Sequence, residues 1–276
     1  MTPDEFVELC YHVDAGVATV ALDRPERRNA WSATMAVEYR WALHHAHVDP
    51  GVRVVVLTGA GGNFCVGAHT EHLEGIDAAG GSYQRERAAL PPYPEGTPAD
   101  FRHNHCYPLT IGTPVIAAIE GACAGAGFVL ATYADIRWVA TDARIAPAFA
   151  RLGLPAEYGM AWLLARQVGV ANALELVSSP DVFDGTTAAQ LGWAQHTAEP
   201  GSVLEGALGQ ARRLARHASP LSLATMKRAV LVDAAGGLGD AYEKSVDDMN
   251  AALRHEDFRR GIAAQRAGEL PDFLTP

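Results

Sequence analysis

Two apolar runs that end in glycine-rich turns constrain this chain more than any other feature. VRVVVLTGAGGNFCVGA (52–68) and TPVIAAIEGACAGAGF (113–128) each set an unbroken apolar strand directly before a string of small residues. A strand with no polar alternation belongs in a parallel sheet that is covered on both faces. Parallel neighbours in turn require long crossover connections, usually helices.

The intervening sequence supplies them. VATVALDRP (17–25) alternates and then stops at a proline, which reads as a strand closing in a turn. In NAWSATMAVEYRWALHHAHVDP (29–50) apolar residues recur every three or four positions until Asp49-Pro50-Gly51 ends the pattern, so a helix is predicted there. After the second glycine-rich turn a short helix and a strand at IRWVA (136–140) are predicted. The result is an α/β fold. Beyond residue 160 the pattern is mostly helical, in AWLLARQVGVANALELV (161–177), TTAAQLG (186–192), LEGALGQARRLARHASPLSLATMKRAVLVDAA (204–235) and DAYEKSVDDMNAALRHEDFRRGIAAQRAG (240–268), with LPDFLTP as a coil tail. Residues 75–100, rich in Gly, Pro and polar side chains, read as a long surface segment or lid with room for one short helix. The organisation expected is a core at 1–200 and a helical region at 201–276.

Composition narrows the function. With 276 residues, 49% of them hydrophobic, the chain can bury a large core. A formal net charge of −10 argues against a nucleic-acid partner, which needs a clustered basic face. No apolar run reaches the roughly 18 residues of a membrane span, and MTPDEFVELC has neither a basic start nor an apolar stretch, so a cytoplasmic location is expected. Cys10, Cys65, Cys106 and Cys123 are far apart with no CxxC, which implies free thiols. HHAH (44–47) and HNHC (103–106) contain ligating residue types, but no further set at a firm spacing accompanies them; no metal is expected.

Neither glycine-rich turn has the G-x-G-x-x-G or Gly-Lys-Ser/Thr pattern that cradles phosphates. Two readings of the small residues stand. They let a helix pack closely on the sheet, or they let a ligand approach main-chain N–H groups, one from each turn, that could hold a developing oxyanion.

VALDRPERRNAW, VVVLTGAGGNFCVGAHTEHL, TPVIAAIEGACAGAGF, TYADIRWVA, LGWAQ and HEDFRRGIAAQRAGELPDF, in this order, resemble the enoyl-CoA hydratase/isomerase (crotonase) superfamily over about residues 6–273. The resemblance implies a ClpP/crotonase-like spiral of ββα units with a helical C-terminal region that supports trimerisation and covers the coenzyme A site. It implies a homotrimer or a hexamer built as a dimer of trimers. It also implies an acyl- or enoyl-CoA substrate, and no cofactor beyond the coenzyme A that the substrate carries. By residue, it makes the Ala68 and Ala126 N–H groups the two oxyanion donors. Val66, His69, Thr70, Gly127, Val129, Phe149 and Tyr158 become the pocket around the acyl group, and Arg27, Arg28, Ala30 and Arg259 the coenzyme A contacts.

The chain departs from the family where hydratases carry two glutamates. The matching residues are Val129 and Phe149, and addition of water needs groups that activate and deliver it. Glu157, eight residues after Phe149, falls where dehalogenases and dienoyl-CoA isomerases of the family carry an aspartate. As a catalytic acid/base it suits proton shuttling between carbons; a hydrolase or dehalogenase-like reaction, and a non-catalytic acyl-CoA-binding protein, are the alternatives. Glu157 also reads as an ordinary acid at a helix N-terminus.

Overall fold

The structure is a computed structural model and describes residues 1–68 and 89–274. His69, Thr70 and most of the expected lid lie outside the described residues. The chain opens with a hairpin, β1 (Leu9–Asp14) and β2 (Val17–Leu22), paired antiparallel from Leu9↔Leu22 to Asp14↔Val17. Ala15 and Gly16 form its two-residue turn with φ of 47° and 79°, the left-handed pair that matches strand twist. The sequence reading missed β1, whose residues are mostly exposed and carry no strong pattern.

Helix α1 (Ala33–Val48) follows as predicted. Ser32 caps it by accepting from the Met35 N–H at 3.0 Å, and Asp49 and Pro50 end it. β3 (Val54–Gly59) then adds parallel to β2. A short helix α2 (Tyr107–Thr110) leads to β4 (Val115–Ile119), which is buried throughout and parallel to β3. Next come β5 (Ala122–Ala124), α3 (Ala126–Thr132), β6 (Ile136–Ala140) and β7 (Arg144–Ala146).

The helical part begins with α4 (Met160–Val168) and α5 (Val170–Ser178). The sequence reads them as one run; Gly169, at φ 79°, separates them. α6 (Gly185–Gln190), β8 (His196–Ala198), α7 (Val203–His217), α8 (Pro220–Leu231), α9 (Leu238–Arg254) and α10 (Glu256–Ala267) complete the chain. The main sheet has six strands in the order β1-β2-β3-β4-β6-β8, parallel except at β1. β5 and β7 form a second, two-stranded parallel sheet. Three-residue strands such as β5, β7 and β8 are too short for periodicity to announce.

α1 packs on β1, β2 and β3, and α7 on β2, β3, β4, β6 and β8. α7 turns Ala207, Ala211 and Ala215 to the sheet, a four-residue repeat of small side chains that permits close approach. Glu120, the one acid of the second glycine-rich segment, is spent here: its Oε1 accepts from the Gly201 and Val203 N–H groups at 3.0 and 3.2 Å and holds the start of α7. Two buried cations lock the frame. Lys227 on α8 meets Asp135 at 2.7 Å and the Thr113 carbonyl at 3.0 Å, while Arg137 donates to the carbonyls of Ala131, Ala134 and Trp193. These contacts fix the end of α3 and the start of β4, the two elements between which the second glycine-rich turn hangs.

Among the described residues no helix is long and apolar enough to cross a membrane.

Candidate active site

The two glycine-rich turns lie side by side. Phe64 N–H donates to the Glu120 carbonyl at 2.8 Å and Cys65 N–H to Ala122 at 3.0 Å, and Ala124 N–H returns a bond to Cys65 at 2.9 Å. This ladder runs out where the glycines begin. A Cβ on Gly67, which sits at φ 89°, would lie 2.8 Å from the Ala124 carbonyl oxygen and 3.4 Å from Gly125 Cα. One on Gly127 would lie 2.3 Å from the Cys65 oxygen. The turns therefore touch main chain to main chain, which only residues without a side chain allow.

Ala68 and Ala126 each stand one residue beyond the Gly67–Gly125 contact, so the structure brings the two expected donors together. Both are partly exposed. Ala126 opens α3, where a first-turn N–H has no acceptor inside the helix. Among the described residues no backbone carbonyl accepts from the N–H of either alanine. The first of the two sequence readings, close packing through small residues, is what the contacts at Gly67 and Gly127 realise.

The expected coenzyme A segment docks on the first turn. Trp31 N–H donates to Gly67 at 2.8 Å and Val66 N–H to Arg28 at 3.3 Å, and Trp31 bridges Ala68. Arg28 and Asn29 are both left-handed, with φ of 50° and 55°. The fully buried Asn29 side chain holds this bend: it accepts from Arg24 N–H at 2.9 Å and donates to the Ala60 and Asn63 carbonyls at 2.8 and 2.7 Å. Asn29 was not singled out in the sequence, although asparagine tolerates left-handed backbone and bonds main chain in turns. Arg27 and Arg28 are exposed beside it, and Ala30 is buried. Arg259 is exposed on α10 and donates to the Arg254 carbonyl at 3.3 Å; none of its described contacts is to the two turns.

Val129 and Phe149 are buried and apolar, and Gly127 is buried beneath the first turn. Neither position 129 nor position 149 offers a titrating group. Glu157 does. It precedes α4 in a tight turn, is half-buried, and burial raises its carboxyl above the ordinary value of 4.5. Its neighbour Tyr158 has φ of 56°, rare for a bulky residue, and is held there by long-range contacts. The Tyr133 hydroxyl donates to the Tyr158 carbonyl, and the His105 ring stacks on the Tyr158 ring at 3.7 Å. Burial pushes the His105 pKa down to about 4 and the Tyr158 hydroxyl up to about 12, so both are neutral at pH 7. His105, seen in the sequence only as part of HNHC, and Tyr133, not picked out there, meet Tyr158 although both lie far from it along the chain. Among the described residues no three His, Cys, Asp or Glu side chains gather as metal ligands.

The family model described as enoyl-CoA hydratase/isomerase matches residues 12–267. The chain belongs to the enoyl-CoA hydratase/isomerase family. It is similar to an Escherichia coli protein named 1,2-epoxyphenylacetyl-CoA isomerase, with 30% identity over 95% of this chain and 96% of that one. It is also similar to a probable enoyl-CoA hydratase of Rhodobacter capsulatus, with 32% identity over 95% and 96%. Among solved structures, a putative enoyl-CoA hydratase/isomerase from Mycobacterium abscessus superposes with a TM-score of 0.83 and 32% identity, covering 96% of this chain and 98% of that one. The crotonase fold expected from the motifs is the fold of this enoyl-CoA hydratase/isomerase family member, and the protein is an enzyme of the hydratase and isomerase class.

Proposed function

We propose that this enzyme moves a proton within an acyl- or enoyl-CoA thioester, with the thioester oxygen held by the N–H groups of Ala68 and Ala126 and with Glu157 as the acid/base. The observation that supports the reading is the main-chain contact at Gly67 and Gly125, where the two turns meet one residue before Ala68 and Ala126 with no side chain between the glycines. Two donors on one carbonyl oxygen stabilise the enolate formed when a proton leaves the adjacent carbon, and each such donor is worth roughly 2.7–4 kcal/mol elsewhere. A carboxylate with a raised pKa then takes that proton and returns it to another carbon of the conjugated system. Buried apolar side chains at 129 and 149 disfavour hydration, and one of the two curated relatives described above bears the name of an isomerase.

The rest of the reading follows the substrate. Arg27, Arg28 and Ala30 flank the coenzyme A, and no cofactor beyond it is required. Arg259 would reach a phosphate from a neighbouring subunit. Leu238, Tyr242, Val246, Met249 and Leu253 make an exposed apolar stripe at helical spacing along α9, which supports a homotrimer or hexamer. Residues 201–276 are then the assembly region. A place in fatty-acid or related acyl-CoA metabolism in the cytoplasm fits four free thiols.

A panel of saturated, 2-enoyl, 3-enoyl, dienoyl and aromatic CoA esters, incubated in D₂O and in H₂¹⁸O and followed by mass spectrometry, tests this. The expected result is deuterium on carbon with no new oxygen. Incorporation of ¹⁸O would replace isomerisation by hydration or by a hydrolase or dehalogenase-like reaction through Glu157. Tight binding with no exchange of either label would make the chain an acyl-CoA-binding protein.

A further inference from the structure

Glu157 stands in the connection before α4 and not in a regular element, in a turn closed by the Met160 N–H on the Glu157 carbonyl at 3.0 Å. The next two residues are left-handed, Tyr158 at φ 56° and Gly159 at φ 72°. A tyrosine holds such a backbone only where its surroundings over-determine it. The Tyr133 hydroxyl donates to the Tyr158 carbonyl and lies against the main chain that follows, 3.4 Å from where a Cβ on Gly159 would stand. The His105 ring stacks on the Tyr158 ring at 3.7 Å, with 24° between the planes. Gln167, on α4, donates from its side-chain amide to the Thr132 carbonyl at 2.9 Å, which ties the helix after the turn to the end of α3.

Tyr133 is itself fixed. It follows the last residue of α3, its N–H donates to the Val129 carbonyl at 3.0 Å, and it is only 3% exposed. A phenol has one proton to donate, and here that proton goes to Tyr158. The 3.7 Å contact between the Tyr133 oxygen and Cys106 Sγ therefore has the thiol as its donor. Burial raises the pKa of both groups above their ordinary values, so both keep their protons at neutral pH. His105 and Cys106 are consecutive, which gives the HNHC segment a use other than metal ligation: one residue holds the Tyr158 ring, and the next holds the hydroxyl that binds the Tyr158 carbonyl. The end of α3 is equally firm. The buried Thr132 hydroxyl donates to the Phe128 carbonyl at 2.8 Å and accepts from the buried Trp193 Nε1 at 3.0 Å.

α3 thus has Ala126 at its first position and Tyr133 just past its last. A helix of this length spans about 10 Å, and its hydrogen bonds make that length constant. We propose that Tyr133 is a positioning residue: through the Tyr158 carbonyl it sets where Glu157 stands relative to the Ala126 N–H, with α3 as the spacer between them. The inference rests on the role given to Glu157 above and adds what aims it. Proton transfer needs the reacting atoms within hydrogen-bond reach, and a displacement of about 1 Å costs on the order of 10²-fold in rate. Phenylalanine at 133 keeps the ring and its packing but releases the Tyr158 carbonyl, so the turn relaxes towards the backbone a tyrosine prefers while α3 stays in place.

The test is a double-substitution cycle on the full-length protein, read as the rate of deuterium incorporation into the ester of the panel that exchanges fastest. Tyr133→Phe is expected to lower kcat about 10- to 100-fold, with the affinity for the ester, measured by calorimetric titration, near that of the wild-type protein. In the Glu157→Gln protein the same change is expected to lower the residual rate by less than about 2-fold, because an absent acid cannot be misaimed. His105→Ala removes the stack and keeps the hydroxyl; it is expected to follow the same pattern, and it decides the question if Tyr133→Phe folds poorly. A tyrosine that only stabilises the fold would lower the melting temperature and leave kcat unchanged, or lower kcat by one factor in both backgrounds. Either result would overturn the assignment while Glu157 keeps its role. Wild-type exchange in Glu157→Gln, or no exchange with any ester, would remove the acid/base reading and the positioning role with it.

Discussion

Glu157→Gln lowers kcat by about 10²–10⁴-fold, the usual contribution of a positioned acid/base, while the affinity for the CoA ester stays near that of the wild-type protein. Glutamine keeps the shape of the side chain and removes the proton exchange, so binding and chemistry separate. The pH dependence carries the same signature. Burial raises the Glu157 carboxyl above 4.5, so the carboxylate form, and with it kcat, grows in as pH rises through that raised value. The acid limb in the wild-type profile is absent from the residual activity of the variant. Stability moves in the other direction. Between 4.5 and the raised value the unfolded chain holds fewer protons at this position than the folded one, so stability falls as pH rises through that interval and the cost persists above it. Replacing the carboxyl therefore leaves the melting temperature at neutral pH equal to or above that of the wild-type protein, as befits a group kept for function. An unchanged kcat would take Glu157 out of the chemistry, and a collapse of both melting temperature and ester binding would make it a structural acid.

What the sequence disclosed follows from the range of the forces involved. β3, β4 and α1 are legible because their patterns are local: continuous branched residues for a strand covered on both faces, a three-to-four spacing for a helix, a serine cap and a proline stop. The glycine turns are legible as turns, and the family motifs single out Ala68 and Ala126 as candidate donors. Their mutual contact is not, because it depends on a parallel ladder between segments far apart in the chain. Val129 and Phe149 are visible as apolar residues in sequence, and the structure adds that they are buried. The cluster around Glu157 is the least legible part. His105 sits in HNHC, which reads as a loop carrying ligating residue types, and only the fold lays its ring on Tyr158. Arg259, assigned through the family, lies on α10, with none of its described contacts to the two turns.

Gly127→Ala is expected to damage fold and activity together, which distinguishes it from the change at Glu157. The added methyl group would stand 2.3 Å from the Cys65 carbonyl oxygen and 2.8 Å from its Cβ. Neither can yield easily, since Cys65 is fully buried and both its N–H and its carbonyl are engaged in the ladder with Ala122 and Ala124. The turns must therefore part. Overpacking of this kind costs about 1–3 kcal/mol and occasionally more, read as a lower midpoint in urea with an unchanged slope. Parting also moves the Ala126 N–H, one residue before Gly127, relative to Ala68, and loss of one such donor lowers kcat by about 10²–10³-fold. Gly209, in the middle of α7 with no atom within 4 Å of its would-be Cβ, is the control: alanine there is stabilising by up to about 1 kcal/mol. If Gly127→Ala retained wild-type turnover, the contact between the turns would serve packing alone, and the thioester oxygen would have to be held by other groups.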